Sequence, residues 1–178
     1  LVKAILKLGK VAKQKYFLAP NIKKLNNNPF TKDMEFVELD FNTVFLEKHN
    51  LYETIKKDEE AKSNELVKIL SNKQTKTLIY AGTYKNIESI SNLLLTSLPD
   101  KDRSLLLDFS KWLGKNYSYN WSLTKLVKKG TGVHNGKLHR SISQIQVKLF
   151  SEKNDGIDDL ISTSSIIEGV NTSAENVV

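Results

Sequence analysis

The sequence predicts an α/β fold, a parallel sheet flanked by helices, and three stretches carry that prediction. Leu78-Ile79-Tyr80-Ala81 is a short apolar run, Gly82-Thr83 a tight exit, and Ile87, Ile90, Leu93 and Leu94 recur at helical spacing before Pro99 closes the unit. Thr131 to His134 reads as a second strand and Asn135-Gly136 as a turn. Leu138, Ile142, Ile145, Val147 and Phe150 then mark an amphipathic helix. Leu160-Ile161 opens a third unit. The hydroxyl residues Ser162 to Ser165 follow, then the one-turn pair Ile166-Ile167, the loop Glu168-Gly169-Val170-Asn171 and a new apolar run at Val177-Val178. Parallel strands need crossovers, usually helical, and such sheets present binding loops at their strand ends.

The remaining elements are read in chain order. Apolar residues at 1, 4, 5, 8, 11 and 12 alternate with Lys3, Lys7, Lys10 and Lys13, the spacing of a helix with a basic stripe over residues 1–13. Tyr16-Phe17-Leu18-Ala19 reads as a buried strand stopped by Pro20-Asn21. Met34 to Phe41 has an imperfect period of two and is expected to form an edge strand. Asp58-Glu59-Glu60 reads as a solvated turn into a helix carrying Leu66, Ile69 and Leu70, with Ser63 as its cap. Two helices are expected on either side of Asn116, one with a stripe of Leu105, Leu106, Phe109 and Trp112, the other with Leu123, Leu126 and Val127. Trp112 and Trp121 are assigned to the core rather than to base stacking, and Lys125, Lys128 and Lys129 to solvent. Ser151 to Asp159 reads as a polar loop.

Composition narrows the chemistry. Cysteine is absent and His numbers three, so neither a thiolate nucleophile nor a zinc site is expected and no metal ligands are assigned. No apolar run approaches the length of a membrane span, no secretory signal pattern is present, and a cytoplasmic setting is expected, with no membrane partner. The net charge is +7, yet residues 1–32 hold eight Lys and no acid, while the remainder balances to −1. The basic character is therefore assigned to the first segment. Gly130, Gly132 and Gly136 do not have dinucleotide-fingerprint spacing, and Gly136-Lys137 is not a phosphate loop, because Leu138 follows where Ser or Thr is needed.

The segment Thr163-Ser164 through Glu168-Gly169-Val170-Asn171 to Val177-Val178 resembles motif V of the superfamily-two DExH helicases. Tyr16 to Asn21 resembles motif III of the same family, Leu78 to Thr83 motif IV, and Gly132-Val133-His134-Asn135-Gly136-Lys137-Leu138 the family's G-V-x-x-H-x-G-L segment. In the last of these the family's His-His pair is His134-Asn135 and Lys137 is inserted before Leu138. The resemblance implies a RecA-like, P-loop-NTPase-type lobe. Residues 1–30 would be the tail of a first RecA-like domain, 31–60 a linker with an edge strand, and 61–178 a second RecA-like domain that stops before motif VI.

By the same resemblance Gly82, Thr83, His134, Asn135, Gly136, Thr163 and Ser164 meet the backbone of DNA or RNA. Glu168, Gly169 and Asn171 turn toward ATP, used with Mg2+ by the intact protein. No catalytic residue is assigned to this stretch. Its phosphate loop and acidic motif are expected in the missing first RecA-like domain, so it is expected to be inactive as an ATPase alone. The chain begins at Leu1 and ends within a strand, and is read as a piece of a longer protein. The alternative is a non-enzymatic α/β module that binds nucleic acid or protein. Repair, restriction and phage defence are left open as settings.

Overall fold

A computed structural model describes residues 2–16, 24–28, 31–38, 47–56, 58–71, 75–164 and 173–178. The chain divides into two compact units, Leu1–His49 and Asn50–Val178. In the first unit, helix α1 spans Val2–Leu8. It stops earlier than the apolar spacing predicts. Gly9 follows it, and Leu8 O accepts instead from Val11 N and Ala12 N at 3.1 and 3.0 Å in a closing turn. Leu8 and Val11 are exposed. Tyr16 is exposed and lies outside any strand, and residues 17–23, with most of the predicted motif-III-like strand, are outside the described residues. Met34 to Glu38 joins no ladder among the described residues and Val37 is 61% exposed; Leu39 to Phe41, the rest of the predicted edge strand, lie outside the described residues.

The second unit is the α/β fold that the sequence predicts. Its elements are α2 (Tyr52–Ile55), α3 (Glu59–Ser71), β1 (Thr77–Tyr80), α4 (Tyr84–Ser97), α5 (Ser104–Asn116), α6 (Ser122–Lys128), β2 (Thr131–His134), α7 (Arg140–Ser151), β3 (Asp159–Ser162) and β4 (Asn176–Val177). The sheet has four strands in the order β2-β3-β1-β4, and every pairing is parallel. Leu160 pairs with Leu78 on one side and Gly132 on the other. All four β3 residues are buried, as a central strand covered on both faces requires. Helix α4 meets the sheet with Ile87 and Leu94 buried, α6 with Leu126 and α7 with Ile142, Leu149 and Phe150, while α5, whose Leu106 and Leu113 join the same core, packs against α6.

Several local expectations shift by a residue or two. Asp58, not Ser63, caps α3: its Oδ1 accepts from Glu60 N at 2.9 Å and Ala61 N at 3.1 Å, while Ser63 sits inside the helix and donates to Glu59 O. In α5 the inner stripe is Leu106, Phe109, Ser110 and Leu113; Leu105 and Trp112 are 41% and 42% exposed. The buried Ser110 is satisfied by donating to Thr124 O at 2.7 Å, which ties α5 to α6. In α7 the polar Gln146 takes an inner position and Ile145 an outer one. Gln146 Oε1 accepts from Val133 N at 2.7 Å, so a helix side chain pairs an N–H on the outer edge of β2.

The polar loop before β3 is also more than a loop. Ile157 is fully buried there, and Asp158 gathers three cations. Arg103 Nη1 lies 2.9 Å from Asp158 Oδ2 and donates to Gly156 O at 2.6 Å. Lys101 pairs with Asp158 Oδ2, and Lys76 Nζ lies 3.6 Å from Oδ1 while donating to Ile157 O. Lys129, assigned to solvent from the sequence, is partly buried: it donates to Leu98 O and pairs with Asp100 at 3.1 Å. Asp155 reaches across to the start of α5, accepting from Ser104 Oγ at 2.7 Å and Leu105 N at 3.1 Å.

Candidate nucleic-acid interface

Parallel register places three chain exits side by side. Tyr80 of β1 and His134 of β2 both pair with Ser162 of β3. The chain therefore leaves the sheet at Ala81, Asn135 and Thr163 along one edge. The ladder continues for one residue: Ala81 N donates to Ser162 O at 2.8 Å and Thr163 N to His134 O at 3.4 Å.

The first exit turns at Gly82, whose φ is +71°, a region that glycine enters at little cost. Thr83 then caps α4, its Oγ1 accepting from Asn86 N at 3.2 Å. Asn86 returns the contact, donating through Nδ2 to Ala81 O at 2.8 Å. The first turn of this fourteen-residue helix carries no acid, so its free N–H groups and positive dipole end are not neutralised. In the second exit Asn135 Oδ1 accepts from Lys137 N at 2.9 Å and Asn135 O from Leu138 N at 3.3 Å, closing a tight turn. His139 caps α7, its Nδ1 accepting from Ser141 N at 3.4 Å. Two helix starts thus follow strands that end at the same edge.

The first two exits also touch. Lys137 Nζ stands 4.1 Å from the centre of the Tyr84 ring. A side-chain carbon on Gly136 would lie 3.7 Å from Tyr84 Oη, an ordinary contact. Beside them opens a pocket of about 290 Å³ lined by Tyr84, Ile87 and Ser91 of α4, by Trp121 and by Asn135 and Leu138.

Among the residues assigned from the sequence, Gly82, Thr83, Gly136 and Ser164 are exposed at this edge, His134 and Asn135 are half-buried, and Thr163 is buried. Burial holds the His134 imidazole below its ordinary pKa, so it is neutral at pH 7 and brings hydrogen bonding rather than charge. Glu168, Gly169 and Asn171 lie outside the described residues. Among the described residues no group of three or more His, Cys, Asp or Glu could hold a metal ion, and no helix is long and apolar enough to cross a membrane. Sequence reading passed over Tyr84 and Lys137. The inserted lysine was visible, but its contact with a ring 53 positions earlier has no local signal.

Charge is distributed differently from the expectation that only the first segment is basic. Residues 109–151 contain no Asp or Glu and eight Lys or Arg, including Lys137 and Arg140 at the second exit. The balance of −1 over residues 33–178 had hidden this, because the acids lie on either side.

No protein-family model matches the chain. It is 29% identical over 183 residues to Anti-bacteriophage protein B of Escherichia coli (strain K12), across 98% of this chain and 24% of that protein. The chain thus spans about a quarter of the length of that relative.

Proposed function

We propose that this chain is the nucleic-acid-facing part of an ATP-dependent helicase, its sheet being the second RecA-like lobe. The observation that carries the reading is the juxtaposition of the β1, β2 and β3 exits, fixed by the Tyr80–Ser162–His134 register. Free N–H groups at the start of α4, the hydroxyls of Thr83 and Ser164 and the cation of Lys137 supply donors suited to phosphate, and none of them selects a base. A motor that must step past any sequence needs that indifference. In the intact protein ATP and Mg2+ are held between this lobe and a first RecA-like domain, with Glu168, Gly169 and Asn171 on this side of the cleft. Likeness to Anti-bacteriophage protein B supports a setting in defence against phage.

Salt titration tests the reading. Affinity for single strands of unrelated sequence should be similar, and log affinity should fall with log salt by about 0.7 for each phosphate neutralised. Lys137→Ala should lower that slope by about one phosphate's worth. Absence of binding at low salt would favour a protein-binding module and remove the helicase reading.

A further inference from the structure

The acid-free stretch 109–151 also carries a ladder of aromatic rings. Phe109 and Trp112 stack with centroids 6.2 Å apart; Trp112 and Tyr117 are 5.9 Å apart, and Tyr117 and Trp121 5.6 Å, both tilted. The ladder begins in the core, where Phe109 is 7% exposed, and leaves it: Trp112 is 42% and Tyr117 52% exposed. Trp112 rests on the core through Phe109 but keeps much of its surface in solvent, as Tyr117 does, while Leu106, Phe109 and Leu113 of the same helix are buried. The other end of the ladder leads to the strand exits: Trp121, half-buried and packed in part against the core, lines the pocket shared with Tyr84 and Asn135.

Cations accompany the rings. Lys115 lies one helical turn after Trp112, and Lys125 one turn after Trp121, both exposed. Lys111 beside Trp112 pairs at 3.7 Å with Asp108 across the solvated face of α5, and Glu88 is the carboxylate lining the pocket. Flat apolar faces interleaved with cations suit a polyanion that offers flat apolar faces of its own. A duplex keeps its base faces stacked inside; a single strand exposes them.

We propose that Trp121, Tyr117 and Trp112 form a stacking platform for the bases of a single-stranded nucleic acid running between the strand exits and the C-terminal end of α5. Stacking is tolerant of sequence because every base has a π-face. The platform therefore adds affinity without adding sequence preference, and it extends the backbone grip of the exits. The inference rests on the nucleic-acid reading above.

The chain contains two tryptophans, 112 and 121, and both belong to the ladder, so selectively excited tryptophan fluorescence reads this region. The experiment titrates the full chain with an oligothymidylate and with an abasic strand of the same length. The expected result is quenching and tighter binding with the base-bearing strand. Trp112→Ala should weaken that strand about tenfold and leave the abasic strand unchanged, while Trp112→Phe restores most of the loss. Equal affinity for both strands, unmoved by Trp112→Ala, would overturn the platform and leave the backbone grip standing. Failure of both strands to bind at low salt would overturn both readings together.

Discussion

Asp158→Asn is expected to lower the unfolding free energy by about 3–4 kcal/mol, measured by urea denaturation at pH 7. The carboxylate pairs with Lys76, Lys101 and Arg103 alike, and only 18% of its side chain is exposed. Lys76 is more buried still, at 10%, and burial pulls its ammonium below the usual lysine range in spite of Asp158. Asparagine leaves three cations around a neutral amide, a loss several times that of an exposed pair. The acid dependence follows. Burial alone would raise the Asp158 pKa, but hydrogen bonds from Arg103 and Lys101 and their charges outweigh it, and the carboxyl lies below the ordinary value. A group depressed in the fold contributes its stability above the unfolded-state pKa, about 3.9, and loses it as pH falls through the folded value. The gap between parent and variant should therefore be full at neutral pH and narrow below about pH 4. A gap that stays constant into strong acid would mean that the charge is not what the site contributes.

Leu160→Ala should cost about 3–4 kcal/mol in the same measurement, as for other fully buried leucines. Leu160 has no exposed surface and sits mid-strand in β3, between Leu78 and Gly132. Space for it exists because position 132 has no side chain: a carbon there would come within 3.0 Å of Leu160 Cδ1 and 2.9 Å of Gln146 Oε1. Leu105→Ala is the matched control. Its side chain is on the outer face of α5, and the expected change is within about 0.5 kcal/mol. Comparable losses at the two positions would contradict the assignment of β3 as the buried centre of the sheet.

The parts of the fold that were legible in the sequence are those whose signals are local. The run Leu78 to Ala81, the glycine that must turn at position 82 and the helical spacing after it lie within twenty residues, and they form β1 and α4 as expected. The same holds for Thr131–His134 with the turn after it, and for Leu160-Ile161. Contacts between distant positions were not legible. Asp158 meets residues 76, 101 and 103, and nothing in the string Asn154 to Asp159 distinguishes that acid from its neighbours. In α5 the run Leu105-Leu106-Leu107 fits more than one helical register, so the predicted stripe ended on Trp112 where the structure buries Leu113. At the candidate site the sequence supplied the turn residues 82, 83, 135 and 136; the Tyr84–Lys137 contact that joins them depends on the parallel register of three strands.

The central claim is that nucleic acid is held at the ends of β1, β2 and β3. Photo-crosslinking of a single-stranded oligothymidylate to the full chain, with adducts located by mass spectrometry, tests it most directly. Adducts in the segments 80–86 and 133–138 are the predicted result. Adducts confined to the lysine-rich segment 3–15, with none at the strand ends, would contradict it.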